Sequence, residues 1–223
     1  VAYEAGVEVW CVMSRRVVLG DALEWCLGLA DKGTNGPVIT SPPDAHEIGV
    51  SPPEWEDWFR GAVDACLVLA GDHPAIFYVT DRRYQGATVS KAQMVLEESG
   101  KYAKVGQKVL WHKIAQRRGS GSTDIHRPTF SHLIAVGGPS TRPGPATPDV
   151  FVRGAVTYPN GMGANAARLA VEHLARQGYQ HVFNPFCGSG TVLAVANALD
   201  MAASGCDIDP LMVARAQTLL FPW

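Results

Sequence analysis

The segment "FNPFCGSGTVLAVANALDMAASGCDIDP" (183–210) decides the fold. With His181 and Val182 ahead of it, "HVFNPF" reads as a short buried strand. "CGSG" reads as a turn, "GTVLAVANAL" (190–199) as a helix and "ASGCDID" (203–209) as the next strand. Gly188 and Gly190 let the backbone approach a ligand closely, and the free amides at the helix start point toward it. Asp207 lies 23 residues after Asn184, close to the spacing at which a strand-ending carboxylate accepts both hydroxyls of a ribose. This order predicts a site for an anionic or zwitterionic ligand. A tight turn with no ligand is the alternative. A dinucleotide fingerprint needs a third glycine, and position 193 is Leu.

Working outward, the same alternation recurs. "RRVVLGDAL" (15–23) is a β-branched run ending in Gly-Asp, followed by a helical pattern to about Ala30. "GPVITSPP" (36–43), "PAIFYVT" (74–80), "QKVLWHKI" (107–114) and "FSHLIAVGG" (130–138) read as strands. "PPEWEDWFRGAVDACLVLAG" (52–71), "KAQMVLEESG" (91–100), "NAARLAVEHLARQG" (165–178) and "PLMVARAQTLL" (210–220) read as helices, and 137–149 as a loop. Strands alternating with helices predict a doubly wound α/β fold: a mostly parallel seven-stranded sheet with one antiparallel strand. No composition shift marks a boundary, so 1–223 is expected to form a single domain.

The chain has 223 residues, 47% of them apolar and 18% charged, with a formal charge of -2. Net charge therefore names no partner, but its distribution does. Residues 81–118 hold nine Lys or Arg and three acids, a candidate polyanion face with Arg82, Arg83, Lys113, Arg117 and Arg118 as its candidate contacts. An ordinary solvated surface is the competing reading. The five cysteines are odd in number and lack C-x-x-C spacing, which argues against a disulfide framework and against zinc. No apolar run approaches the ~18–20 residues of a membrane span, and no signal-peptide pattern is present. A cytoplasmic enzyme or binding protein without membrane partners is expected.

Ser-Pro-Pro occurs twice, at 41–43 and 51–53. The second copy opens a helix: Ser51 fits the N-cap, Pro52 the first helical position and Glu54 the capping box. The first copy follows "PVIT" at the carboxyl end of a strand, where ligands bind in open α/β sheets. Two prolines stiffen that turn and remove two backbone donors, so its carbonyls face outward as acceptors.

"NPFCGSGT" with "GCDID" resembles the S-adenosylmethionine (SAM) motif of amino-methyltransferases, usually Asp-Pro-Phe-x-Gly-x-Gly-Thr. "TSPP" after a strand resembles their catalytic motif, (Asp/Asn/Ser)-Pro-Pro-aromatic, and "VVLGDAL" the Gly-Asp that opens many of them. The catalytic motif precedes the SAM motif, which is the permuted order of the β class of DNA amino-methyltransferases. "VLWHKI" and "YPNGMG" fall where that class has later motifs. The resemblance implies a class I, Rossmann-like methyltransferase fold and methyl transfer from SAM to an exocyclic amine of a nucleobase, N4 of cytosine or N6 of adenine in DNA. It implies catalytic roles for Ser41, Pro42, Pro43 and Asp44. It implies cofactor contacts from Asp21, Thr40, Asn160, Asn184, Pro185, Phe186, Cys187, Gly188, Ser189, Gly190, Thr191, Asp207 and Ile208.

Two departures matter. Asp44 stands where the family has an aromatic residue that stacks on a flipped base. It either accepts a hydrogen bond from the amine or reflects another substrate, and stacking passes to Phe77, Tyr78, Tyr84, Trp55 or Trp58. Asn184 replaces the usual Asp and keeps an acceptor without its charge. Asp21 suits the adenine amine or a helix N-cap equally. Only the segment 113–157 offers residues for target recognition, so no separate recognition domain is expected, and a homodimer or a second specificity subunit is compatible. An RNA base as acceptor, and a non-catalytic SAM-binding subunit, are the alternatives.

Overall fold

The computed structural model describes residues 14–102, 109–117, 128–138 and 147–220. In chain order the elements are β1 (Arg15–Leu19), α1 (Ala22–Ala30), β2 (Val38–Thr40), α2 (Ala45–Ile48), α3 (Pro52–Ala70), β3 (Ala75–Val79), β4 (Arg82–Tyr84), β5 (Ala87–Val89) and α4 (Lys91–Lys101). They continue with β6 (Val109–Gln116), β7 (Phe130–Val136), β8 (Val150–Val152), α5 (Ala164–Arg176), β9 (His181–Asn184), α6 (Thr191–Ala198), β10 (Ala202–Asp207) and α7 (Pro210–Thr218).

Eight strands form one sheet in the order β1-β10-β9-β2-β3-β7-β6-β8. β7 pairs antiparallel with β3 and with β6, and every other pairing in this sheet is parallel. The single antiparallel strand was expected; the eighth strand was not. β8 is only three residues, Val-Phe-Val, joined in parallel to the end of β6 through Ile114↔Val150. So short a run shows no alternation of its own, and only the neighbouring strand defines it. The hairpin β4–β5 was missed for a related reason. Its turn residues, Gln85 and Gly86, both have positive φ, as a two-residue hairpin of this hand requires, but Gln-Gly is not among the usual turn pairs.

Helices cover both faces. One core layer packs α5, α6 and α7 over Ile39, Ile76, Tyr78, Leu133 and Val182. The other packs α1, α3 and α4 over Val38, Ala75, Phe77, Ile134 and Phe183. The alternation of β3 explains the division, because Ile76 and Tyr78 leave one face and Ala75, Phe77 and Val79 the other. All five residues of β3 are buried, as a central strand covered on both faces demands. In α3 the buried Trp55, Phe59, Ala62, Val63, Cys66 and Leu69 recur with the helical period, so one stripe faces the sheet.

Two features of this order position a site. The chain leaves β2 for β3 on one side and β9 for β10 on the other, so β2 and β9 flank the point where the winding reverses. Loops at the carboxyl ends of two such strands diverge and leave a crevice. Gly205 in β10 is the second feature: a Cβ there would stand 2.9 Å from both the Cys187 Cβ and a Leu193 methyl. Its absence lets the glycine turn and α6 settle directly on the strand.

Candidate active site

The crevice opens into a cavity of about 660 Å³. Its wall includes Ser41, Pro42, Pro43 and Asp44 from the end of β2, and Asn184, Phe186, Cys187, Gly188, Ser189 and Thr191 from the turn after β9. Asp207 and Ile208 from the end of β10 join them, with Asp21 and Asn160. Two motifs more than 140 residues apart thus meet on adjacent strand tips. They are tied together in both directions. Asn184 Nδ2 donates to the Ile39 carbonyl at 2.6 Å, and the Thr40 hydroxyl donates to the Pro185 carbonyl. Thr40, Pro185 and Gly190 are not part of the cavity wall; they hold its frame.

The turn itself is fixed by Asp207, whose Oδ2 accepts from Gly188 N at 2.7 Å and whose Oδ1 accepts from Asp209 N at 3.0 Å. A carboxylate offers about four lone-pair sites, so acceptor capacity remains toward the cavity. Phe186 has φ of 56° and Gly188 of 52°, left-handed values that curl the turn back over β10. Beside the start of α6 the hydroxyls of Thr157, Ser189 and Thr191 form a chain, with Thr157 Oγ1 2.7 Å from Ser189 Oγ and 2.6 Å from Thr191 Oγ1. Asn184 is 3% exposed, and its Oδ1 has no partner among the described residues. The amide thus donates to β2 with one atom and leaves a bare acceptor with the other. Ile208 is 72% exposed, an apolar surface at the cavity rim. Burial pushes the Cys187 and Cys206 thiols up, the latter to about 12, so neither is a nucleophile at neutral pH.

Asp21 caps α1, with Oδ1 accepting from Leu23 N at 2.8 Å and Glu24 N at 3.0 Å, and it also lies on the cavity wall. Asn160 donates to Glu47 Oε1 at 3.1 Å, while Glu47 Oε2 accepts from Asp44 N at 2.7 Å. Glu47 therefore bridges the loop after β2 and the loop before α5. The second Ser-Pro-Pro is the expected cap, Ser51 N donating to Glu54 Oε2 at 3.2 Å. The first copy also opens a helix, the short α2, with Asp44 at its N-cap.

Asp44 does more than cap. It is 6% exposed; its Oδ1 accepts from Lys91 Nζ at 2.7 Å, and its Oδ2 from Arg82. Lys91 is 4% exposed and lies over the rings of Trp55 and Phe59, 5.5 and 5.0 Å from their centroids. Burial, with Arg82 adding to it, pushes the Lys91 ammonium down to about 7, although the Glu47 and Asp81 carboxylates favour its charged form. With both oxygens engaged by cations, Asp44 is placed to clamp the loop rather than to take a substrate amine. Lys91 and its role were absent from the sequence reading, which saw it only within the basic stretch. Its partner lies 47 residues away, and no local pattern joins them.

The candidate aromatic stackers separate. Phe77 and Trp55 are core, with Trp55 Nε1 donating to the Pro43 carbonyl at 3.1 Å. Tyr84 lies on the β4–β5 hairpin, away from the cavity wall. Trp58 packs edge-on against Phe186, and both line the cavity, as does Tyr78. Of the basic candidates, Arg82 and Arg117 face the cavity, joined by Arg153, which the sequence reading did not single out. Arg83 is exposed on the hairpin and donates to the Gly86 carbonyl. Lys113 is a correction to the expected polyanion face. It is 8% exposed, with its ammonium held by the Thr147 carbonyl at 2.9 Å and by Asp149 at 3.1 Å, so it ties β6 to the chain before β8. Arg118 lies outside the described residues.

An open, mostly parallel sheet with a glycine turn and an acid-ended strand at its switch point is the architecture of class I methyltransferases, and the chain has that fold. Among solved structures it is similar to a candidate DNA modification methylase of Thermus thermophilus complexed with S-adenosyl-L-methionine. There the identity is 18%, 91% of each chain is covered, and the TM-score is 0.64. It is similar to the PvuII DNA methyltransferase, which is cytosine-N4-specific, at 15% identity over 92% of this chain and 85% of that one, with a TM-score of 0.71. It is also similar to the M1.HpyAVI–SAM complex, at 13% identity over 91% and 98%, with a TM-score of 0.60. At these identities the likeness establishes a shared fold. No protein-family model matches the chain, and no curated protein matches it by sequence.

Proposed function

We propose that this chain is a SAM-dependent methyltransferase acting on an exocyclic amine of a nucleobase, N4 of cytosine or N6 of adenine, in DNA. The observation that carries the reading is the cross-linked convergence of the glycine turn and the first Ser-Pro-Pro on one cavity. The fold it shares with proteins named as DNA methylases, and with two structures complexed with SAM, supports the choice of acceptor.

The residues present fit SAM. The orphaned Asn184 Oδ1 suits its amino group, and Asp207 suits the ribose hydroxyls. Asn160 and the start of α6, with its hydroxyl chain, suit the carboxylate, while Ile208 and Asp21 suit the adenine. When bound, SAM supplies an electrophilic methyl on a sulfonium. The chain's own part is to present the acceptor. The Ser41 hydroxyl and the Pro42 carbonyl hold the amine's protons, which draws its lone pair out of ring conjugation and aims it. Pro42 and Pro43 keep that loop from relaxing. This is catalysis by positioning and electrostatics, with no strong base required. Arg82, Arg117 and Arg153 on the cavity wall, and the exposed Arg83, supply phosphate contacts. Target reading falls to 113–157 or to a second subunit, the chain itself forming one methyltransferase domain.

Calorimetric titration with SAM, followed by transfer of tritiated methyl to DNA, RNA and free nucleosides, tests the proposal. Binding heat with label on DNA supports it. No heat overturns it, and label confined to RNA or to nucleosides overturns the choice of acceptor. Ser41→Ala is expected to keep SAM binding and to lose methyl transfer by about a hundredfold or more, the scale of one preorganised polar contact. A wild type that binds SAM but methylates nothing is instead a non-catalytic SAM-binding subunit.

A further inference from the structure

Two buried oxygens on the cavity wall lack a partner among the described residues: Asn184 Oδ1 and the hydroxyl of Tyr78. A buried hydroxyl left unpaired costs on the order of 1–3 kcal/mol, so such a group is expected to meet a partner, a bound ligand or a water. The first belongs to the cofactor half of the site. The second lies on the other half. Along the sheet, β10 and β9 carry the ribose acid and the glycine turn, β2 carries Ser41 to Pro43, and β3 follows. The space over β2 and β3 is therefore where the acceptor sits. In the parallel register Ile39 pairs with Ile76 and Thr40 with Phe77, and the residues that follow them, Ser41 and Tyr78, both line the cavity. Ile39, Ile76 and Tyr78 share a face of the sheet.

The chemistry of the loop says what such a hydroxyl is for. Cytosine and adenine both carry an acceptor nitrogen in the ring next to the exocyclic amine. A donor opposite that nitrogen would extend the grip on the amine to the whole edge. Pro42 and Pro43 lack an N–H, and the Asp44 N–H is bonded to Glu47. Lys91 is turned to Asp44 and, at 3.4 Å, to the Pro42 carbonyl. The Thr80 hydroxyl is paired with Ser131 at 2.6 Å. Tyr78 is 2% exposed, and its ring is fixed in the core layer with Met162 and Ala166, so its hydroxyl is held in place before any ligand arrives.

We infer that Tyr78 is an acceptor-binding residue whose hydroxyl donates to the ring nitrogen beside the target amine, so that Tyr78 and the Ser41–Pro42 loop together read an amine-next-to-nitrogen edge. The inference rests on the methyl-transfer reading above and adds a contact to it. Tyr78→Phe removes the hydroxyl alone. The full chain is assayed for SAM affinity, thermal midpoint and kcat/KM on an oligonucleotide, and on the same oligonucleotide with a deaza base lacking that ring nitrogen. Tyr78→Phe is expected to leave SAM affinity unchanged, to leave the midpoint unchanged or raised, and to lower kcat/KM by about tenfold to a hundredfold. Wild type is expected to disfavour the deaza base, and Tyr78→Phe to lose that discrimination. Full rate with discrimination intact in Tyr78→Phe overturns the inference, and so does weakened SAM binding. A wild type inactive on every base overturns the methyl-transfer reading itself, and the inference with it.

Discussion

Asp44 occupies the position that stacks on a flipped base in the enzymes this chain resembles. Here it is buried, paired with Lys91 and Arg82, and capping α2. A carboxylate in such a place holds its loop by charge where an aromatic ring would hold it by packing. The consequence is testable at this one residue. Asp44→Phe, which restores the family's pattern, is expected to destabilise the protein by about 3–5 kcal/mol, because Lys91 is left buried without its counter-charge. Asp44→Phe with Lys91→Met is expected to recover much of that loss, read from urea midpoints of the two variants. Ser41, Asn184 and Asp207 were legible in the sequence because each occupies a fixed offset within a short motif. Lys91 was not legible as a site residue, and Tyr78 was read only as one of five candidates for stacking on a base. They reach the cavity through a helix start and a neighbouring strand, and nothing near them in the chain announces it.

Among the elements, α6 and α7 show how tightly the glycine-turn end of the cavity is packed. Gly190 caps α6 with φ of 85°, and a Cβ there would lie 2.6 Å from the Ala216 Cα. Gly190→Ala therefore meets both backbone strain and a clash with backbone that cannot yield cheaply. It is expected to cost roughly 2–4 kcal/mol and to weaken SAM binding by displacing α6, as chemical denaturation and calorimetry would report. The long helices and buried strands were visible as periodicity in the sequence. The hairpin β4–β5, the strand β8 and the helix α2 were not. Each of these strands and helices is three or four residues long, too short for a period, and depends on partners elsewhere for its form.

For the whole molecule, the cavity draws its wall from β2, β9, β10 and the chain between β8 and α5, so a ligand seated there ties distant segments together. A ligand that binds only the folded state stabilises it by mass action, about 2.7 kcal/mol at a hundredfold excess over Kd. For a chain of this size, SAM at that level is expected to raise Tm by about 5–10 °C in a thermal scan. Ser41→Ala should keep the full shift, and Asn184→Ala should lose most of it, because only Asn184 of the two touches the cofactor in the proposed arrangement. Among the described residues no helix is long and apolar enough to cross a membrane.

By itself the sequence determined the alternation of strands and helices, the glycine turn after β9, and the loop that stiffens after β2. These are written in periodicity, glycine and proline placement and capping, all of which act within a few residues. Only the tertiary structure decided that β2 and β9 lie side by side, that Asp44 meets Lys91, and that Tyr78 and Ser41 line one cavity. Strand order and burial are set by long-range pairing and packing, whose partners are distant in the chain and whose energies no local stretch carries.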